Sequence, residues 1–75
     1  MEINRITHNP AVMGGKPCIR GMRVTVGMIV GLVASEHSFE AILAAYPYLE
    51  AEDIRQALAY AAWQVEEIEV PLPAA

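Results

Sequence analysis

The most regular hydrophobic pattern of the chain lies between residues 25 and 35. Four β-branched residues recur there at helical spacing: Val26, Ile29, Val30 and Val33. Thr25 precedes them, and threonine is a favoured N-cap, so the segment predicts a first helix that ends near Ser35. Gly27 and Gly31 lie one turn apart on this helix, and we expect them to admit the close approach of another backbone.

Two more helices are predicted on either side of Pro47. Ser38 is a suitable N-cap for the second helix, which Pro47 ends. The apolar stripe of this helix consists of Phe39, Ile42, Leu43 and Tyr46. A turn of about four residues leads to the third helix, and this spacing is typical of a helix-turn-helix. Glu52 and Asp53 lie near the start of the third helix, where the helix dipole favours negative charge. Its inner face consists of Ile54, Ala57, Leu58, Ala61 and Val65.

The third helix also carries aromatic residues on its other side. Trp63 follows Ile54 by nine residues, which is half a turn out of phase, so its indole is predicted to face away from the core. Tyr60 lies on the same outer flank. Because a helix that is apolar on two sides is not satisfied by one core, we expect this flank to bind another protein.

Both ends of the chain predict extended backbone. Turn formers dominate the first 25 residues, and the short apolar pieces on either side of Gly21 predict a small N-terminal β element, with Cys18 as a small buried strand residue. From Glu66 onward, three apolar residues recur two apart: Ile68, Val70 and Leu72. Their neighbours Pro71 and Pro73 do not suit a central strand, so this segment predicts a tail that lies along another protein.

The predicted architecture is therefore mainly α. It is a three-helix, helix-turn-helix domain with a small N-terminal β element, over residues 1–65, followed by an extended C-terminal tail, 66–75. A chain of 75 residues has room for one domain only. Since 55% of its residues are hydrophobic and 19% are charged, it carries more apolar surface than such a domain easily hides, and we expect a homodimer or a higher oligomer.

The sequence also predicts where the protein acts. The apolar stretch at 24–34 is shorter than the roughly 20 residues that cross a bilayer. The first residues do not have the basic and apolar regions of a signal peptide. A single cysteine fits a reducing compartment, so we expect a cytoplasmic protein that is not bound to a membrane.

Charge is distributed unevenly along the chain. Residues 1–35 contain four basic residues and one acidic residue, whereas residues 36–75 contain eight acidic residues and one basic residue. A basic region can meet phosphate, and an acidic one attracts a basic protein. Candidate DNA contacts are therefore Arg5, Lys16, Arg20, Arg23, Arg55 and Gln56, with ordinary solubilising charges as the competing interpretation. The neighbouring Glu52 and Asp53 would oppose the approach of the third helix to DNA.

No pattern in the sequence favours catalysis or a cofactor. Gly14 and Gly15 precede Lys16, but Pro17 occupies the Ser or Thr position of a phosphate-binding loop, so a structural turn is favoured. The possible nitrogen and sulfur ligands show none of the close spacings of zinc sites: His8, Cys18 and His37. We expect neither a metal, nor a cofactor, nor an enzymatic activity.

Several segments together carry a family resemblance. They are Asn9-Pro10, Gly14-Gly15-Lys16-Pro17-Cys18-Ile19-Arg20-Gly21-Met22-Arg23-Val24-Thr25-Val26, Ser38-Phe39-Glu40-Ala41-Ile42-Leu43, Tyr46-Pro47, Leu49 and Glu52-Asp53-Ile54. Over about residues 6 to 65 the chain resembles the bacterial domain-of-unknown-function family 433. Glu36 departs from that family's pattern, since a glycine commonly ends the first helix there. Keeping a left-handed turn at Glu36 would cost about 1 kcal/mol. Glu50 replaces the usual Ser or Thr cap of the third helix, which predicts a weaker cap.

The resemblance implies a homeodomain-like fold and the antitoxin role of a toxin–antitoxin pair. On this implication the protein binds and neutralises a PIN-like ribonuclease toxin, and autoregulation of its operon through operator DNA is a further role. The expected partner contacts are Tyr60, Trp63, Glu67, Ile68, Val70 and Leu72. The alternative is a stand-alone dimeric helix-turn-helix regulator of transcription, and a third interpretation is a purely architectural dimer module.

Overall fold

The computed structural model describes residues 2–67, which form three helices and a small sheet. In chain order the elements are β1 (Ile6–Thr7), a 3-10 turn (Met13–Gly15), β2 (Cys18–Ile19), α1 (Val26–Ala34), α2 (Phe39–Ala45) and α3 (Ala51–Glu67). The predicted class, a mainly helical helix-turn-helix domain with a small N-terminal β element, is confirmed. Within 2–67, no helix is both long enough and apolar enough to span a membrane.

The helices begin where the capping residues predict. The Met28 N–H donates to the Thr25 hydroxyl at 3.0 Å, and the Ala41 N–H donates to the Ser38 hydroxyl at 3.0 Å. The start of α3 is supported differently. There the Asp53 carboxylate reaches back and accepts a hydrogen bond of 2.8 Å from the backbone N–H of Glu50, which is one half of a capping box.

The core lies where α3 crosses α1, α2 and the sheet. Its buried members are Ile19, Val24, Val26, Ile29, Ile42, Leu49, Ile54 and Ala57. The prediction that Val65 belongs to the inner face is wrong, because this side chain is 71% exposed. At 17 residues α3 is much longer than α1 or α2, so its last turns extend past the elements that could cover them. It also continues to Glu67, two residues beyond the predicted domain boundary; residues 68–75 lie outside the described residues.

One edge of the sheet is paired with a further segment of the chain, and the other edge is open within residues 2–67. Strand β1 runs antiparallel to β2, with Ile6 opposite Ile19, and a second pairing joins Cys18 to Thr25. The Ile19 N–H donates to the Val24 carbonyl at 2.9 Å, so the segment before α1 covers the far edge of β2. Cys18 is buried, as predicted. The outer edge of β1 is consequently left without a strand partner among residues 2–67.

The two glycines of α1 do not meet another backbone within residues 2–67. A Cβ added at Gly31 would meet open space, and one at Gly27 would meet only the Thr25 hydroxyl at 4.0 Å. The expected close approach is therefore not made inside the described domain.

The end of α1 adopts the left-handed turn that glycine would favour. Glu36 has a φ of 68°. Its N–H donates to the Val33 carbonyl at 3.0 Å, and the His37 N–H donates to the Leu32 carbonyl at 3.1 Å, which is the hydrogen-bond pattern of a Schellman motif. Because these bonds require the turn, the strain predicted for a side chain at Glu36 is retained.

Replacing this residue by glycine should stabilise the domain. We expect Glu36→Gly to raise the free energy of unfolding by about 1 kcal/mol, and the melting temperature by about 4–8 °C, because it removes the left-handed strain. Thermal and urea unfolding followed by circular dichroism measure the change. Glu36→Ala removes the same charge and keeps the strain, so an equal gain from both variants would contradict this explanation.

Candidate functional site

A buried carboxylate, Asp53, holds the N-terminal segment and the β-turn that follows β2, residues 19–22, against α3. Its side chain is fully buried. One carboxylate oxygen accepts hydrogen bonds of 3.0 Å from Arg5 and from Arg20, and the other accepts one of 2.8 Å from Arg20. Arg20 therefore binds Asp53 with two nitrogens, the geometry that makes arginine–carboxylate pairs strong and directional. Three distant segments are fixed by one side chain.

The same two arginines have further partners at the rim of this cluster. Arg5 also pairs with the Glu50 carboxylate, and Arg20 donates to the Tyr48 carbonyl at 2.9 Å. The sequence predicted both arginines as phosphate contacts. Since their guanidinium groups are bound to carboxylates of the domain itself, they are structural residues that have limited capacity for an external anion.

Gln56 is likewise structural, and its position does not favour the predicted contact with DNA bases. Its side chain is 3% exposed. The side-chain oxygen accepts hydrogen bonds of 2.9 Å from the backbone N–H groups of Asn4 and Arg5. The side-chain nitrogen donates to the side chains of Asn4 and Glu52, both at 3.0 Å. A buried amide with every polar group in use cannot turn outward without leaving those groups unpaired.

The remaining candidate DNA contacts are exposed and do not join Arg5 and Arg20 at the Asp53 carboxylate. Arg55 lies on the outer side of α3, where its Nε donates to Glu52 at 3.0 Å. Lys16 and Arg23 are exposed and form no ion pair within residues 2–67. Three of the five cations of the chain are thus neutralised inside the domain. The basic region that the sequence predicted is reduced to two isolated side chains.

An apolar groove runs between the N-terminal segment and the second half of α3. It has a volume of about 360 Å³ and is lined by Ile3, Ile6, His8, Tyr60 and Trp63. Because Gln56 anchors the backbone just before β1, Ile3 and Ile6 are held opposite the aromatic face of α3. At one end of the groove the His8 ring nitrogen lies 2.8 Å from the Tyr60 hydroxyl.

The aromatic side of the groove is the flank that the helical phase predicted. The ring centres of Tyr60 and Trp63 are 5.8 Å apart, within the range of favourable aromatic contacts. Trp63 is 50% exposed, which confirms that it faces away from the core. Among the other predicted partner contacts, Glu67 is the last described residue, and Ile68, Val70 and Leu72 lie outside the described residues.

Sequence reasoning missed half of this site. Ile3, Ile6 and His8 were not predicted as groove residues, because they precede Tyr60 and Trp63 by more than 50 positions and no local period links them to α3. Their common feature is the segment that Gln56 anchors. A buried role for Gln56 was not signalled either, since glutamine is usually exposed.

Comparison with known proteins gives a consistent result. The family model DUF433, described as a protein of unknown function, matches residues 6–61. The uncharacterized protein y4eO of Sinorhizobium fredii (strain NBRC 101917 / NGR234) is 46% identical over 56 residues, which are 75% of this chain and 25% of that protein. A DUF433 member protein from Anabaena variabilis ATCC 29413, solved by crystallography, is similar with a TM-score of 0.78 and 34% identity, covering 85% of this chain and 63% of that one. The chain thus spans less than two thirds of the length of both.

Removing the charge of Asp53 should destabilise the domain strongly. We expect Asp53→Asn to lower the free energy of unfolding by about 3 kcal/mol, because it leaves two arginines without their shared anion. Urea unfolding followed by circular dichroism measures the loss. The matched control is Glu52→Gln, which removes the adjacent charge from a partly exposed ion pair, keeps a side-chain oxygen that can accept from Gln56, and should cost less than about 1 kcal/mol. Similar losses from the two variants would refute the assigned importance of Asp53.

The same carboxyl should make the domain sensitive to acid. Burial alone would raise the pKa of Asp53, but hydrogen bonds from Arg20, from the Glu50 N–H and from Arg5 outweigh it, and the pKa is lowered. The unfolded chain therefore takes up this proton at a higher pH than the folded chain, so the stabilisation is present above about pH 5 and is lost as the pH falls. The stability difference between wild type and Asp53→Asn should shrink between pH 6 and pH 3. A constant difference would contradict this origin.

Proposed function

The chain belongs to the DUF433 family, and on that premise we propose that it is an antitoxin that binds and neutralises a ribonuclease-type, PIN-like toxin. The single observation that carries this proposal is the groove with Tyr60 and Trp63 on one side. Partly exposed aromatic residues beside an apolar groove are the composition that protein-binding hot spots favour. The proposal concerns this domain, which matches only a quarter of the curated relative's length.

The balance of exposed charge supports a basic partner. The arginines that form ion pairs add no free positive charge, and Lys16 and Arg23 are the cations of residues 2–67 that have no paired carboxylate there. The exposed acidic residues include Glu2, next to the groove residue Ile3, and Glu66, one turn after Trp63. Exposed carboxylates close in sequence to the residues that line an apolar groove complement a protein with a basic surface around an apolar anchor. A nuclease that binds RNA has such a surface.

The proposed antitoxin function does not require catalysis by this chain. The groove contains one imidazole and one phenol hydrogen-bonded to each other, and the thiol of Cys18 is buried in the sheet. The proposed contribution of the domain is coverage of the toxin's surface. The proposed location is the cytoplasm, where the single thiol would stay reduced.

The alternative, a stand-alone transcriptional regulator, has weaker support. The outer side of the first turns of α3 offers Arg55, which is bound to Glu52, while Gln56 points into the protein. Direct readout of bases needs side chains that can form two hydrogen bonds with the edge of a base in the major groove of DNA. Autoregulation would then need a complex in which the partner supplies much of the positive charge.

Loss of the indole should weaken the complex with the toxin. We expect Trp63→Ala to reduce the affinity for the product of the adjacent reading frame by at least about 30-fold, because a central aromatic anchor contributes about 2 kcal/mol or more. Co-expression followed by copurification and calorimetry measures the effect. Tyr48→Ala is the matched control, since Tyr48 is similarly exposed, at 52%, but lies in the turn before α3. Equal affinities of wild type and Trp63→Ala would exclude the groove as the binding site.

The protein alone should bind DNA only weakly. With most of its cations paired internally, we expect non-specific binding, with a Kd of about 10⁻⁴ M or weaker at physiological salt. Fluorescence anisotropy with the DNA upstream of its own gene, against a scrambled fragment, measures this. Sequence-selective binding with a Kd below about 10⁻⁷ M would favour the alternative function.

A further inference from the structure

The outer edge of β1 offers backbone groups that have no strand partner within residues 2–67, and these groups lie beside the groove. The Arg20 N–H donates to the Arg5 carbonyl at 2.7 Å, and Thr7 is paired with Cys18. Because backbone groups alternate between the two edges of a strand, the N–H and C=O groups of Ile6 and His8 face away from β2. The side chains of Ile6 and His8 both line the groove. An extended segment that pairs with this edge would therefore place alternate side chains in the groove.

The last residues of this chain have the pattern that such an edge requires. Ile68, Val70 and Leu72 share one parity, so in an extended conformation their side chains share a face and their N–H groups share an edge. Pro71 and Pro73 have the opposite parity, so their missing N–H groups fall on the other edge. A strand of this sequence can pair on one side without losing a hydrogen bond, and its prolines then end the sheet.

The last residues of a second copy fit this edge of β1 better than the last residues of the same copy. Helix α3 continues one turn beyond Trp63, so its last residue, Glu67, lies about 6 Å further along the helix axis than Trp63, in the direction away from Tyr60. Return to the same groove would require a reversal that consumes the alternating residues. A second copy needs no reversal.

We propose that residues 68–72 of a second copy add as a strand to the edge of β1, with Ile68, Val70 and Leu72 in the groove against Trp63. Two copies exchange these segments reciprocally, and each covers the aromatic flank of the other. This goes beyond the proposed function, because it concerns the protein without its toxin. A toxin that binds the same groove has to displace the exchanged segment.

This chain provides its own reporter, since Trp63 is its one tryptophan. Analytical ultracentrifugation over a range of concentrations gives the dimer dissociation constant, and tryptophan emission over the same range reports on the groove. We expect a dimer whose formation shifts the emission to shorter wavelength. Val70→Glu should raise the dissociation constant by at least about tenfold and remove the shift, because it places a charge in the groove.

Pro71→Glu is the matched control, since it introduces the same charge on the opposite face of the strand and should change the dissociation constant by less than about threefold. Circular dichroism checks that the helices are retained, and Leu72→Glu, of the same parity, replaces Val70→Glu if they are not. Three results would each overturn the proposal. Val70→Glu and Pro71→Glu could change the dissociation constant equally, the protein could be a monomer at all concentrations, or the tryptophan emission could be independent of dimerisation. None of these measurements involves the toxin, so failure here is separate from failure of the antitoxin role.

Discussion

The arrangement of this domain depends on one buried anion, the carboxylate of Asp53. A charge that is buried away from solvent is stable only when its partners are held in position. Here the Asp53 carboxylate accepts hydrogen bonds from Arg5, Arg20 and the Glu50 N–H. These partners come from the N-terminal segment, the β-turn and the start of α3. A sheet with two-residue strands has little stability of its own, so the ion cluster and the core together hold it in place.

The ion cluster also determines what the surface can recognise. Along the chain, positive and negative residues are separated, which suggests one basic and one acidic side. Folding brings the two sets together, since Arg5 and Arg20 neutralise carboxylates at the start of α3. Within residues 2–67, the exposed carboxylates that form no ion pair, such as Glu2, Glu36, Glu40 and Glu66, outnumber the unpaired cations Lys16 and Arg23. This balance of charge supports the proposed basic partner better than it supports nucleic acid.

The accuracy of the sequence predictions follows the range of the interactions behind them. Helix starts at Thr25 and Ser38 depend on a side chain and an N–H three residues away, and both were predicted correctly. The outward orientation of Trp63 required only the helical period. The roles of Asp53 and Gln56 depend on partners 33 to 52 positions away, for which the sequence offers no local signal. Val65 was misplaced because a period gives the direction of a side chain but not the extent of the core beneath it.

The length of α3 separates two tasks along a single helix. Its first half supplies Asp53, Ile54 and Gln56 to the interior, where a substitution disturbs many neighbours at once. Its final turns project past the core and carry side chains such as Val65 that no other described element covers. Mutations in these last turns can therefore accumulate with little change in the free energy of unfolding. Related proteins could acquire new binding preferences there while inheriting the same scaffold, so divergence in partner choice and preservation of architecture need not oppose each other.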